Sequence, residues 1–181
     1  MKSKLIIVEG SQGVGKTSVT RMLREKMAGS NLFSLSGVND NSEKGFAKCY
    51  NMHYGIISLI RENFNNSINF ILDRSFISEK VYCDLGYKPY TFEHDCDTLA
   101  HFYKRLYNLY DVKYILLTAN TDTFKDRLVR NKHDYQEFSA ESSYLQQETY
   151  KKNLQKYKIK YTEISTVNKT VEEIVEVILG E

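Results

Sequence analysis

The residues best suited to chemistry come early in the chain. Glu9-Gly10-Ser11-Gln12-Gly13-Val14-Gly15-Lys16-Thr17 puts four residues between Gly10 and Gly15-Lys16-Thr17, which is the spacing G-x-x-x-x-G-K-[ST]. The glycines open backbone angles closed to other residues and let the main chain come close to a ligand. Successive N–H groups then converge on phosphate oxygens beside the N-terminus of the following helix. Gly10, Ser11, Gln12, Gly13, Val14, Gly15, Lys16, Thr17 and Ser18 would form the cradle. Lys16 would reach the β- and γ-phosphates, and the Thr17 hydroxyl would ligate Mg²⁺. A glycine-rich turn that binds nothing fits the same letters, but here a strand-like apolar run precedes the motif and a helical pattern follows it. The motif therefore specifies a nucleoside triphosphate, with ATP and Mg²⁺ as expected cofactors. It does not specify what is done with them.

Two further clusters also follow apolar runs. Phe70-Ile71-Leu72 leads into Asp73-Arg74-Ser75. A carboxylate at a strand's carboxyl end suits the surroundings of Mg²⁺, and an arginine beside it can hold an anion or a sugar hydroxyl; the bland alternative is a surface ion pair. Arg127 and Arg130 lie three apart and share a helix face, with Lys132, His133, Asp134 and Glu137 close behind. A charged lid near residues 127–140 would neutralise charge on a transferring phosphoryl group and keep water out. The alternative is a solvated basic helix end favoured by the helix dipole. No D-x-x-G follows a strand, Asn168-Lys169 runs into Thr170-Val171, and the N-K-x-D letters of Asn131-Lys132-His133-Asp134 follow a helical pattern rather than the strand a guanine reader would follow. A chain of 181 residues also leaves little room for the accessory parts of a motor ATPase. The expected catalytic set is Lys16, Asp73, Arg74, Arg127 and Arg130, with Thr17 and Asp73 as the metal residues.

These residues need a scaffold that gathers them. Residues 5–8, Leu-Ile-Ile-Val, read as a buried strand, as do 68–72 and 113–117, with weaker strands at 32–35 and 160–164. Helical patterns fill 17–27, 43–63, 75–84, 97–109, 121–131, 139–155 and 170–179. In the second of these Tyr54, Ile57, Ile60 and Phe64 step by three or four. Such alternation predicts one α/β domain over residues 1–181, a three-layer P-loop NTPase fold with a five-stranded parallel sheet and helices on both faces. Ligands of such sheets bind beyond the carboxyl ends of the strands, where the three clusters fall. A net charge of +2 is too small a bias to argue for nucleic-acid binding. No apolar run approaches the roughly 18 residues of a membrane span. The N-terminal MKSKLIIVEG leads into a glycine loop rather than a signal-peptide cleavage site. Cys49, Cys83 and Cys96, an odd number without C-x-x-C, suit reduced thiols in a cytoplasmic protein.

With these residues in hand, the chain resembles the thymidylate kinase and deoxynucleoside kinase branch of P-loop kinases over nearly its whole length. Ile7-Val8-Glu9-Gly10 running into Gly15-Lys16-Thr17 looks like that branch's E-G-x-x-x-x-G-K-[ST]. Asp73-Arg74-Ser75, with Ser78, Val81 and Tyr82 on the following helix, is similar to its second signature. Arg127 and Arg130 look like its lid arginines, and 161–164 with Thr166–Lys169 resembles its adenine-side loop. The resemblance implies that Asp73 helps hold the metal or takes the acceptor's proton, and that Arg74 holds the acceptor. The chain also departs from the pattern. The segment after the second strand, 36–41, offers only Asp40 where deoxynucleoside kinases carry a glutamate base, and it lacks the arginine-proline pair of thymidylate kinases. Gln12 stands where thymidylate kinases often have an acid.

A monophosphate is already ionised near neutral pH and needs no strong base, whereas a hydroxyl acceptor benefits from one. The expected function is therefore an ATP-dependent kinase acting on a (deoxy)nucleoside monophosphate. The alternatives are a deoxynucleoside kinase acting on the 5′-hydroxyl, a polynucleotide or modified-base kinase, and an ATP-binding module without turnover. The expected partner is a small nucleoside or nucleotide, with a homodimer left open. Tyr50, Tyr54, Phe46, Tyr82, Tyr87, Tyr90, Phe92, Phe102 and Tyr103 could line the acceptor site or the core, and Glu79 could meet a base edge.

Overall fold

A computed structural model describes residues 2–35, 40, 42–130 and 139–180, apart from the side chains of Glu43 and Arg130. The expected lid residues Lys132, His133, Asp134 and Glu137 and the Arg130 side chain lie outside the described residues, as do positions 36–39 and 41.

Strands and helices alternate as β1 (Lys4–Glu9), α1 (Lys16–Lys26), β2 (Ser30–Ser34), α2 (Glu43–Glu62), β3 (Asn69–Asp73), α3 (Phe76–Asp84), α4 (His94–Leu106), β4 (Asp111–Thr118), α5 (Thr121–Arg130), α6 (Ala140–Lys156), β5 (Thr162–Ser165) and α7 (Val171–Leu179). The five strands form one parallel sheet in the order β2-β3-β1-β4-β5. The strand alternation of a pleated sheet sorts side chains onto two faces. Leu5, Ile7, Phe70, Leu72, Tyr114 and Leu116 belong to a core with residues of α2, α3, α4 and α6. Ile6, Val8, Ile71, Ile115 and Leu117 belong to a second core with α1 and α7. Both faces of the central strands are thus covered, which is why those strands read as unbroken apolar runs. The edge strand β2 is half-exposed along its length, hence its weaker signal.

Two boundaries and one helix face differ most from the sequence reading. Helix α4 runs over His94–Leu106, three residues ahead of the expected span. Asp95 and Asp97 in its first turn favour the earlier start, and the Tyr110 N–H donates to the Leu106 carbonyl as the chain turns into β4. The last strand begins at Thr162 because α6 ends in a left-handed turn. Lys158 has φ 52°, and the Ile159 N–H reaches back to the Leu154 carbonyl, which delays the strand. In α2 the helix is as expected but its buried face is not. Cys49, His53, Ile57 and Ile60 turn inward, while Tyr54 and Phe64 are exposed. Among the described residues no helix is long and apolar enough to cross a membrane.

His53 is 1% exposed, and its Nδ1 has no hydrogen-bond partner among the described residues. Burial lowers its pKa to about 4 from 6.5. Between those values the folded chain holds His53 neutral while the unfolded chain protonates it. The stability that follows is full above pH 6.5 and is lost as pH falls toward 4, by up to about 3 kcal/mol. His53→Leu should therefore show a shallower fall in urea-unfolding free energy between pH 7 and 4.5 than the natural chain; parallel slopes would clear His53 of the effect.

Candidate active site

The turn from β1 into α1 carries the phosphate loop. Gly10 sits at φ 147°, and a Cβ there would come within 2.7 Å of the Leu117 carbonyl oxygen and 2.9 Å of Val14 Cγ1. Only glycine lets the loop lie this close to the neighbouring strand. Gly15 caps α1 in a left-handed conformation (φ 101°) and contributes no side-chain cap, and no acid stands in the first turn. The first-turn N–H groups of α1 lack intrahelical partners, so they and the helix dipole are available to an anion.

Lys16 is buried at 6% exposure, and its Nζ donates to the Gly10 and Ser11 carbonyls at 2.6 and 2.8 Å. Burial, and then the Arg74 charge, pull its pKa well down, while Asp73 and Glu9 oppose them. An entering phosphate would add the negative charge that favours the ammonium form. Thr17 Oγ1 donates to Asp73 Oδ2 at 3.1 Å. The other carboxylate oxygen, Asp73 Oδ1, is buried without a hydrogen-bond partner among the described residues. An idle carboxylate oxygen beside a hydroxyl is a donor set that fits Mg²⁺, which takes hard oxygens and completes its shell with phosphates and water.

Asp73 and Arg74 owe their places to the sheet. Val8 and Asp73 are register partners, so the β3 carboxylate ends level with the start of the loop. Arg74 leaves the strand at φ 83°, its N–H donating to the Val8 carbonyl at 3.0 Å. Its guanidinium Nη1 donates to the Tyr82 hydroxyl at 3.3 Å. A cavity of about 540 Å³ is lined by residues 12–19 of the loop and helix together with Arg74, Arg127, Thr166 and Lys169. The fold thus brings Lys16, Thr17, Arg74 and Arg127 to one space, with Asp73 bonded to Thr17 behind it. Arg127 braces that space. Its Nη1 donates to the Val14 carbonyl and to Thr166 Oγ1, both at 2.9 Å, and its Nη2 to the Thr166 carbonyl at 3.0 Å. Thr166 is itself anchored on the Thr118 carbonyl.

The remaining sequence candidates divide. Asp40, the single acid after β2, accepts from the Ser42 N–H (3.0 Å), the Ser42 hydroxyl (2.6 Å) and Lys48 (2.7 Å). Lys48 and Ser42 together hold its carboxyl below the usual range, which makes it a poor proton acceptor. Phe92 and Tyr103 are core residues, at 1% and 3% exposure. Phe46 lies edge-on to Tyr90 and Phe92. Glu79 is buried and takes the Tyr90 hydroxyl as a hydrogen-bond donor.

Several functional contacts had no reading in the sequence. The Gln12 N–H of the loop donates to Gln146 Oε1 (3.2 Å), and the Ala119 N–H at the end of β4 donates to Gln147 Oε1 (2.8 Å). Ser143, Gln146, Gln147, Tyr150 and Asn153 of α6 are all buried. Polar residues at helical spacing were the signal that this face of α6 meets something polar.

A parallel sheet of this order, with a phosphate loop after its central strand and helices on both faces, is the P-loop kinase fold, and solved structures of that fold superpose on nearly the whole chain. The Bacillus subtilis YorR protein, solved in complex with phosphorylated GDP, matches with a TM-score of 0.71 at 19% identity, over 97% of this chain and 94% of its own. The deoxyadenosine kinase of M. mycoides with bound dATP matches with a TM-score of 0.58 at 21% identity, over 97% of both chains. The Deinococcus radiodurans tunicamycin resistance protein matches with a TM-score of 0.59 at 16% identity, over 98% of this chain and 94% of its own. No family model matches the sequence, and no curated protein matches it.

Arg127 makes its bonds as a charged donor, and such bonds contribute about 1.5–3 kcal/mol each when well formed. Arg127→Ala should loosen the wall between the phosphate loop and Thr166 and weaken ATP binding by about tenfold or more. Calorimetric titration with MgATP checks this. Equal affinity in the variant and the natural chain would remove Arg127 from the nucleotide site.

Proposed function

We propose that this chain is an ATP-dependent kinase that transfers the γ-phosphoryl group to a (deoxy)nucleoside monophosphate. The observation that carries the reading is the pairing of two cations in one cavity. Lys16 sits at the phosphate loop and Arg74 at the end of β3, so one phosphoryl group can pass between a donor and an acceptor that are both anionic. Burial works against the Arg74 charge, but Tyr82, Tyr150, Glu9 and Asp73 around it more than offset this and raise its pKa. A permanent planar cation suits a phosphate better than a neutral hydroxyl.

The chemistry assigned to each residue follows. The loop N–H groups and Lys16 bind the triphosphate and meet the charge that develops on the γ-phosphoryl group. Mg²⁺, held through the Thr17 hydroxyl and the Asp73 side, would supply charge neutralisation between the β- and γ-phosphates. Arg74 orients the acceptor's phosphate, and Arg127 shapes the wall on the Thr166 side. Arg130 is proposed to act with the segment that follows it as a lid, in a single domain spanning the chain.

The second reading, a nucleoside kinase acting on a 5′-hydroxyl, is favoured by the likeness to deoxyadenosine kinase solved with dATP and dCTP. It asks for a base near the acceptor hydroxyl. Asp40 is committed to Ser42 and Lys48, and among the described residues Asp73, bonded to Thr17, is the acid left beside the cavity.

A coupled ADP-release assay on matched nucleoside and monophosphate pairs separates the two readings. The expected result is higher kcat/KM for a monophosphate, with Arg74→Lys reducing it by about tenfold or more, because a fork is exchanged for a point charge. Preference of the natural chain for the nucleoside would overturn the assignment.

A further inference from the structure

The strand that leads into the phosphate loop is apolar from Leu5 to Val8 and ends on a glutamate at 0% exposure. Glu9 shares its sheet face with Leu5 and Ile7, so its side chain points at α3 and α6. Its Oε1 accepts from the Ser75 N–H at 2.7 Å and the Ser75 hydroxyl at 2.6 Å, and its Oε2 accepts from the Ser78 hydroxyl at 2.7 Å. Behind the serines stand two phenols, with Tyr114 Oη 2.6 Å from Ser75 Oγ and Tyr150 Oη 2.7 Å from Ser78 Oγ.

When both serine hydroxyls donate to the carboxylate, Tyr150 donates to Ser78, and the Tyr114 hydroxyl hydrogen goes to Ser75 Oγ or to Glu9 Oε1, which lies 3.3 Å away. That arrangement needs an acceptor-only, ionised Glu9. Burial raises the pKa of Glu9, while Ser75, Ser78 and Arg74 pull it back. A buried carboxylate costs more than an apolar residue would, and the core at this point needs only volume.

What the carboxylate holds is the turn bearing Asp73 and Arg74. Arg74 is a non-glycine residue in the left-handed region, at φ 83°, which persists only where neighbours over-determine it. Two consecutive residues of β1 do so. The Val8 carbonyl takes the Arg74 N–H (3.0 Å), and the Glu9 carboxylate takes the next N–H, that of Ser75 (2.7 Å). Release of the second bond would let the Arg74–Ser75 linkage relax, turn the guanidinium out of the cavity and shift the Asp73 carboxylate from Thr17.

We propose that Glu9 is a positioning residue for phosphoryl transfer, a buried clamp that holds Arg74 in its left-handed conformation and so sets Arg74 and Asp73 against the phosphate loop. This rests on the kinase reading for its catalytic consequence, but not for the clamp itself. The test is a double-mutant cycle of Glu9→Gln, Arg74→Gly and both together, with MgATP binding stoichiometry as the measure of correctly folded protein. Glycine adopts the left-handed conformation without help and carries no guanidinium, so it removes what the clamp is there to hold.

The expected result is a loss of about 30-fold in kcat/KM for the acceptor in Glu9→Gln, with the ATP KM changed by less than about threefold, and a further loss below about threefold when the same change is made in Arg74→Gly. An equal loss in both backgrounds would mean that Glu9 only supports the core, and would overturn the proposal. Ser78→Ala, which cuts one arm of the clamp and leaves Ser75 bonded, should give a smaller loss of the same kind if Glu9→Gln folds poorly.

Amide hydrogen exchange reads the clamp without turnover. Faster exchange at Ser75 in Glu9→Leu, which leaves its N–H no side-chain acceptor, with β1 and β4 unchanged, supports it, and unchanged exchange at Ser75 overturns it. If the natural chain phosphorylates neither nucleosides nor monophosphates, the kinase reading falls, and the clamp stands or falls on the exchange result alone.

Discussion

The register of two central strands governs the rest of the site. Val8 of β1 pairs with Asp73 of β3, and a strand sends successive side chains to opposite faces. Asp73 therefore turns toward the α1 side, where Thr17 meets it, and Glu9, one residue past Val8, turns toward α3 and α6. One ladder thus assigns the two carboxylates at the strand ends to different tasks. A slip of one residue would exchange the faces and lose both. Because both strands are buried between helices, the apolar residues before them make such a slip costly.

Charge is arranged around this register in alternation. Lys16 and Arg74 are cations close enough for Arg74 to depress the Lys16 pKa, and Asp73 and Glu9 act on both in the opposite sense. A buried and a half-buried cation so close would be costly by themselves. The charges of Asp73 and Glu9 offset that cost, and an anionic ligand adds to the balance. The polarity of the cavity is thus a consequence of where two strands end.

Helix α6 ties the halves together. Its Gln146 accepts from the phosphate loop, its Gln147 from the end of β4, its Tyr150 meets Ser78, and its Asn153 donates to Asp84 of α3. A row of neutral polar side chains can satisfy buried N–H and hydroxyl groups without the desolvation cost of charges. Loop, sheet end and α3 thereby share one support. Lys80 adds an ion-paired contact from α3 to Asp84 and to Glu93 just before α4.

The sequence by itself determined the order of elements, the parallel sheet and the phosphate loop. Each of these is local, since an apolar run, a helical period or a nine-residue motif carries its own signal. It also brought Asp73 and Arg74 to notice, because they directly follow a strand. The helical stripe read in α2 has Ile57 and Ile60 inward but Tyr54 and Phe64 at the surface, because aromatic character does not tell a core from a surface. What only the tertiary structure decided are the partners. Glu9 meets Ser75 across 66 residues, Arg127 meets Val14 across 113, and Gln12 meets Gln146 across 134. Nothing in a local window records such pairs, because strand order and register create them. For the same reason Glu9 stands in the sequence only as a letter of the phosphate-loop motif, and the fold alone shows its carboxylate accepting from Ser75 and Ser78.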